Sequence, residues 1–406
     1  MMTTLRVILQ ELTPAIIDTL RVVFWQNVYA TKAIEQTLKL HPDWEDSKRA
    51  IFSDTIYDLI RWWRPLWFII DKEPSENPED LQKLITIYLF TKKGDLTALQ
   101  NKKDLDTSQL FQRIQSTKHS RALRESIPDW LDAQGEKELG MRWEQVLVAL
   151  NKKPDLIIRA NSLKTTPKEL LMILRKDGII AEPIDGNPDA LFIIEKINVF
   201  KLPSFNAGLF EVQDAASQMV SRILDPQSGM RVVDACAGEG SKTLHLAALL
   251  KNKGKIIAMD TQEWRLRELR KRAKKAGVDT IETRLITSSK SYKRIKGTAD
   301  RLLLDVPCSG LGTLRRNPDI RWKLTATDLE RLKSVQQDLL EKYCTLLKPQ
   351  GHMAYSVCSI LPSEGEEQIQ RFLKNHNEFR RLDEKRYWPD IDRTDGFYIA
   401  LLQRTS

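Results

Sequence analysis

The chain has 406 residues, 41% of them apolar and 29% charged, and its 64 basic and 55 acidic residues leave a net charge of +9. That length calls for two or three domains, the apolar fraction is that of a water-facing globular protein, and the charge is a modest bias toward polyanionic partners. A membrane span is excluded, because the most apolar early segment, Leu59 to Ile70, is short and broken by Arg61, Arg64 and Pro65. The first twenty residues carry Glu11 and Asp18 and no basic leader, so no signal peptide is expected and the expected compartment is the cytoplasm. The four cysteines, Cys236, Cys308, Cys344 and Cys358, show no metal-ligand spacing and are too few for a disulfide framework. The five histidines are scattered, so no metal site is expected.

In chain order, residues 1–145 read as helical, with apolar residues at three-and-four spacing such as Leu20, Val23, Phe24 and Val28. The run Arg61-Trp62-Trp63-Arg64-Pro65-Leu66-Trp67 reads as bundle core flanked by arginines, with base stacking as the alternative. Residues 150–205 form a small α/β unit. Leu156 to Asn161 reads as a strand, and Pro167 to Asp177 as a helix capped by Thr166 and stopped by Gly178. Ile179 to Ala181 and Leu191 to Ile194 follow as strands. Residues 206–406 alternate strand and helix, the pattern of a parallel sheet covered on both faces. Strands are expected at Met230 to Asp234, Lys255 to Met259, Arg301 to Asp305, His352 to Val357 and Phe397 to Leu402. The residues that look chemical lie where these strands end, where such sheets bind ligands. Basic residues crowd Arg265 to Lys275, Lys290 to Lys296 and Arg315 to Lys323. The first run reads equally as a solvated helix face; the last, beside a reactive loop, is expected to meet phosphate.

The loop Asp234-Ala235-Cys236-Ala237-Gly238-Glu239-Gly240-Ser241-Lys242-Thr243 follows a strand and opens a helix. It fails the phosphate-binding loop pattern because Ser241 precedes Lys242, and it fails the dinucleotide fingerprint because Thr243 replaces the third glycine. A nucleoside cofactor without pyrophosphate remains, and S-adenosylmethionine fits. Asp260, ending the next strand, suits ribose hydroxyls or a helix N-cap. Cys308 in Asp305-Val306-Pro307-Cys308-Ser309-Gly310 and Cys358 in Tyr355-Ser356-Val357-Cys358-Ser359 sit at two strand tips that can face one pocket. Cys236 and Cys344 read as structural.

With Gly208 to Gln218, Arg159-Ala160-Asn161-Ser162-Leu163-Lys164, Arg316-Asn317-Pro318-Asp319-Ile320-Arg321-Trp322 and Asp395-Gly396-Phe397, these motifs resemble the Sun/RsmB family of RNA cytosine-5 methyltransferases over residues 127–402. The resemblance implies a Rossmann-like α/β methyltransferase domain, preceded by a small α/β RNA-binding unit and an all-α NusB-like domain. It implies Cys358 as nucleophile, Cys308 as the group assisting product release, and Asp305 on the base edge; chemistry alone does not divide the roles of the two thiols. It implies cofactor contact by Cys236, Ala237, Gly238, Glu239, Gly240, Ser241, Lys242, Asp260, Arg265 and Asp305, and RNA contact by Lys242, Arg159, Asn161, Arg316 and Pro318. The implied partner is RNA, 16S rRNA first and tRNA second, for a monomeric enzyme; a non-catalytic RNA-binding assembly protein is the other reading. The chain departs from the family pattern at Gly238-Glu239-Gly240-Ser241, at Val357 and at Gly365, and Ile286-Thr287-Ser288-Ser289 lacks the carboxylate that many members use for adenine.

Overall fold

The computed structural model describes residues 2–94, 107–195 and 197–406; residues 95–106 of the expected helical region lie outside the described residues. Two compact units result, Met1–Lys152 with Leu314–Ala326, and Lys153–Thr313 with Thr327–Ser406. This division differs from the expected boundaries in two respects. The small α/β unit shares a compact body with the large sheet, and residues 314–326, expected inside the 206–406 domain, belong to the helical unit.

The helical unit is built on the helices Met2–Phe24, Ala30–Leu40, Asp46–Arg61, Trp63–Ile70 and Pro78–Lys93, with Asp129–Leu139 and Arg142–Leu150 toward its end. Their apolar faces bury Leu12, Ile16, Leu20, Phe52, Ile56, Leu59, Leu84 and Tyr88 in one core. Trp63 and Trp67 are in that core, with the Trp63 ring stacked on Phe24 at 3.7 Å, so this cluster is packing. Arg61 is buried, and its guanidinium donates to the carbonyls of Leu314 and Arg315 at 3.3 and 2.8 Å. The segment 314–326 is fastened further by Asp319, which accepts from the Ala30 amide at 2.9 Å, and by Trp322, whose indole donates to the Ile60 carbonyl at 2.8 Å. Arg321 is 1% exposed and donates to the carbonyls of Glu125 and Ser126 and to Asn151 Oδ1.

In the second unit the first sheet holds β1 (Leu156–Ala160), β2 (Ala181–Ile184), β3 (Asn187–Ile193) and β4 (Phe210–Val212), in the order β2-β3-β1-β4 and antiparallel throughout. The helix Pro167–Lys176 covers it, entered through a reciprocal capping box between Thr166 and Glu169. The second sheet holds β5 (Arg231–Asp234), β6 (Lys255–Asp260), β7 (Ile281–Leu285), β8 (Ala299–Asp305), β9 (Leu347–Val357), β10 (Phe379–Tyr387) and β11 (Phe397–Arg404). Its order is β10-β11-β9-β8-β5-β6-β7, with β5 to β9 parallel and β10 and β11 antiparallel. Strand order reverses between β5 and β8, which opens a crevice at their carboxyl ends. Val232, Val233, Leu302, Leu303, Met353 and Ala354 are fully buried on the two faces of the central strands, as a doubly covered sheet requires.

β10 was not expected. Six of its nine residues are charged and its burial is confined to Phe379 and Tyr387 at the two ends, so the edge strand carries no alternating apolar signal. The turn starting at Ile179 enters its strand two residues later than expected, because Gly178 has φ +78° and closes the preceding helix first.

Candidate active site

The floor of the crevice is the loop between β5 and the helix Ser241–Leu249. Gly238 and Gly240 have φ of +54° and +89°, and a Cβ on Gly240 would stand 2.5 Å from the Leu269 side chain, so the loop lies bare of side chains where a ligand must approach. The loop is pinned to β6: the Ala237 amide donates to the Met259 carbonyl at 2.9 Å, and the Gly238 amide donates to Asp260 Oδ2 at 2.9 Å. Asp260 also accepts from the amide of Gln262, the N-cap of the next helix, at 2.8 Å, while keeping lone pairs for a hydroxyl. Arg265 lies 3.9 Å from Asp260 on the exposed side. The Glu239 carbonyl and Ser241 hydroxyl are both held by Arg272, which also pairs with Glu211 of β4. Cys236 packs on the core, and burial pushes its thiol up, which suits a structural thiol.

Asp234, at the end of β5, is buried, and its Oδ1 has no hydrogen-bond partner among the described residues, while Thr243 donates to Oδ2 at 2.7 Å. Burial, with the neighbouring Asp305 adding, pushes this carboxyl up to about 7. An unpaired acceptor, a bare glycine loop and a ribose-competent acid together fit the donor groups of S-adenosylmethionine: Asp234 and the loop for its amino-acid end, Asp260 for its ribose. Residues 286–289, beyond β7, supply no carboxylate for adenine; Ile286 instead donates its amide to the Asp260 carbonyl at 2.9 Å.

The reactive side chains stand across the switch point. β8 and β9 run in register with Asp305 beside Ser356, and the Ser356 hydroxyl donates to Asp305 Oδ1 at 2.8 Å. Lys242 donates to Asp305 Oδ2 at 2.7 Å, with its ammonium 5.2 Å from the centre of the Phe397 ring. Burial works against the charge on Lys242, but Asp305 outweighs it and Cys358 adds to that, so the ammonium is held above the usual lysine range. Just past the two strand ends, Cys308 Sγ and Cys358 Sγ are 3.3 Å apart. The hydrogen bond to Cys358, then burial, push the Cys308 thiol well up. Cys308 therefore keeps the shared proton, and a lysine cation faces the Cys358 side.

The same packing explains the distant motifs. Gly312 has no room for a Cβ, which would fall 1.9 Å from the Gly396 carbonyl oxygen, and its amide donates to the Cys358 carbonyl at 3.0 Å. Asp214 caps its own helix at Ala216 and also accepts from the Asp395 amide at 3.1 Å. Gly365 meets Arg386 and Tyr398, which stand 2.5 and 2.9 Å from where its Cβ would be; a larger residue is excluded by the arginine that supports the Ser359 carbonyl.

Of the five expected RNA contacts, three are buried. Arg159 is 2% exposed and binds Gln213 and the Ser241 carbonyl, and Asn161 is buried and donates to the carbonyls of Gly208 and Ala276, both at 2.9 Å. These side chains carry the first sheet against the cofactor loop and face no solvent. Pro318 is buried in the helical unit, where Arg316 is half-buried. Lys242 is committed to Asp305. In the third basic group, Arg315 and Arg321 are also buried, and the Arg321 guanidinium is taken up by the carbonyls of Glu125 and Ser126. Sequence reading gave no role to Ser356 and Phe397, which sit inside the quoted motifs Tyr355 to Ser359 and Asp395 to Phe397, and it missed Gln336 and Glu364, which carry no motif.

A seven-stranded sheet of this order, with a glycine loop after one strand and an acid ending the next, defines an S-adenosylmethionine-dependent methyltransferase. The family described as 16S rRNA methyltransferase RsmB/F matches residues 221–403, and its ferredoxin-like domain matches residues 127–200. The probable ribosomal RNA small subunit methyltransferase B of Synechocystis is 31% identical across 95% of this chain and 97% of its own length. Its counterpart from Photorhabdus laumondii is 33% identical over 68% of this chain and 66% of its own. Among solved structures, PH0851 superposes with a TM-score of 0.78 at 26% identity, covering 96% of this chain and 98% of that one. A methyltransferase homologue from Pyrococcus horikoshii gives 0.63 at 29% identity, over 70% of this chain and 97% of its own. The chain belongs to the RsmB/F family of RNA methyltransferases. None of its described helices is long and apolar enough to cross a membrane.

Proposed function

We propose that this protein methylates carbon 5 of a cytosine in 16S rRNA, with Cys358 as nucleophile and Cys308 as the group that releases the product. The observation that carries the reading is the pair of thiols 3.3 Å apart beside the Lys242–Asp305 ion pair at the sheet's switch point. S-adenosylmethionine, when bound, supplies a methyl group on a sulfonium, and cytosine carbon 5 is too weak a nucleophile to take it unaided. Addition of the Cys358 thiolate at carbon 6 forms a C–S bond and turns the ring into an enamine with electron density at carbon 5. Asp305 accepts a hydrogen bond from the base edge as the ring nitrogen gains its proton, and Lys242 and Ser356 hold that carboxylate in place.

The two thiols act in order for a physical reason. The Cys358 partner is what keeps the Cys308 proton on. Once Cys358 is a thioether, that restraint is gone, and Cys308 gives up its proton to solvent and becomes the base. With the methyl group on carbon 5, Cys308 takes the carbon-5 proton, the C6–S bond breaks to restore the Cys358 thiolate, and the ring nitrogen returns its proton to solvent as the aromatic ring is restored. The base must be unpaired or drawn out of its stack to reach the crevice. The helical unit, read as NusB-like, and the exposed Lys290, Lys293, Arg294 and Lys296 serve to hold the RNA in the cytoplasm.

The test is methyl transfer from labelled S-adenosylmethionine to naked 16S rRNA, with bulk tRNA alongside. Label is expected as 5-methylcytosine in the 16S rRNA, lost with Cys358→Ala and trapped as a covalent protein–RNA complex with Cys308→Ala. Full activity in Cys358→Ala would sink the mechanism, and label in tRNA alone would replace the substrate.

A further inference from the structure

The residues that follow the two reactive cysteines are both serines, and one carboxylate holds both. Glu364 is fully buried, yet each of its oxygens accepts two hydrogen bonds. Oε1 takes the Ser309 amide at 2.8 Å and the Gln336 side-chain amide at 3.0 Å. Oε2 takes the hydroxyls of Ser309 and Ser359, both at 2.5 Å. The two hydroxyls are 3.3 Å from each other, as the two sulfurs are. Gln336 also donates to the Pro307 carbonyl at 3.1 Å, so the proline before Cys308 is tied to the same centre. Four donors converge on this one buried carboxylate, the number its two oxygens can accept.

We propose that Glu364 is a positioning residue of the thiol pair: it fixes the separation of Cys308 and Cys358 through their following serines and uses its charge to keep the proton on Cys308. This rests on the two-cysteine reading of the reaction. Two observations support it independently. The carboxylate binds the Ser309 amide and hydroxyl of one cysteine loop and the Ser359 hydroxyl of the other, and its charge is among the causes that raise the Cys308 thiol, after the Cys358 hydrogen bond, burial and the Cys358 charge. Tyr355 fixes Glu364 in turn, its hydroxyl donating to the Glu364 carbonyl at 2.7 Å.

The test uses the full chain without RNA or cofactor, so its failure is distinct from failure of the proposed reaction. Cys308 is alkylated across a pH series in a Cys358→Ser background, with and without Glu364→Gln, and followed by peptide mass spectrometry. Removing the charge is expected to lower the pH midpoint of labelling by about one unit. Glu364→Asp, which keeps the charge, is expected to hold the midpoint near that of the parent. A merely structural role would leave the midpoint unmoved, and an unmoved midpoint overturns the proposal. If Glu364→Gln does not fold, Ser309→Ala with Ser359→Ala carries the test, by bridging Cys308 to Cys358 with a short bifunctional thiol reagent. A several-fold slower bridging than in the unaltered chain is expected; equal bridging overturns the proposal.

Discussion

His245 is 1% exposed in the helix that opens at the cofactor loop, and its Nε2 lies 3.0 Å from Asp189 of β3, which Arg222 also binds. Burial, then the charge of Arg159, push the imidazole down to about 4, against the pull of Asp189. In the unfolded chain the same ring titrates near 6.5. Between those values the unfolded state binds a proton that the folded state refuses, so this histidine's contribution to stability is full above about pH 6.5 and is lost as pH falls toward 4. Its size is about 3 kcal/mol, from two and a half pKa units. Denaturant melts at pH 7.5 and pH 5 should show about 2 kcal/mol of that loss, and His245→Gln should flatten it; equal slopes in both proteins would remove His245 from the account. Arg321 gives a second prediction at this scale. Its guanidinium meets three acceptors in a dry interior, so Arg321→Ala should destabilise the helical unit by about 3 kcal/mol, yet leave the salt dependence of RNA binding unchanged. A shallower salt slope would return this arginine to the phosphates.

Among the elements, the two glycine contacts decide how the cysteine loops meet. Gly312→Ala would force a Cβ onto the Gly396 carbonyl, and the Cys358 carbonyl is the next obstacle at 2.9 Å. Overpacking of this kind costs about 1–3 kcal/mol, and here the displaced backbone carries the nucleophile. Methyl transfer should therefore fall further than the melting temperature suggests; a variant that loses only stability would show the loops to be independent of this contact. Four of the five parallel strands and their loops were legible in the sequence because buried β-branched runs, glycines and strand-end acids are local signals; the half-buried β7 gave no such signal. β10 was not, because its residues Arg380 to Lys385 face water and its buried residues are confined to its ends. The site was legible to the extent that its groups sit in motifs. The family resemblance placed Arg159 and Asn161 on RNA, and a basic and an amide residue look alike in sequence whether they meet phosphate or backbone. Only the packing shows that they meet carbonyls. Glu364 was silent for the converse reason, since a carboxylate opening a helix is ordinary in sequence and its four donors come from three separate segments.

At the scale of the molecule, the chain leaves its first unit at Lys152 and gives part of itself back to that unit at Leu314–Ala326. The returned segment brings Trp322 and the buried Asp319 and Arg321, and takes up hydrogen bonds from Arg61 and Ala30. A fragment ending at residue 152 should thus melt lower than the unit in the full chain, and a peptide of residues 314–326 added in trans should restore part of the difference. Indifference to the peptide would show the bundle to be complete without it. The feature also fixes a timetable. A nascent chain that has emitted the whole bundle still lacks its closing piece until residue 326 emerges, a wait of roughly ten to thirty seconds at ordinary synthesis rates. Throughout that interval Arg61 has no carbonyls from 314 and 315 to satisfy it, and the first unit is finished only after both the cofactor loop and the Cys308 loop have been made. Translation cut short before that point yields neither unit complete, so partial products of this gene would be natural clients for chaperones and proteases.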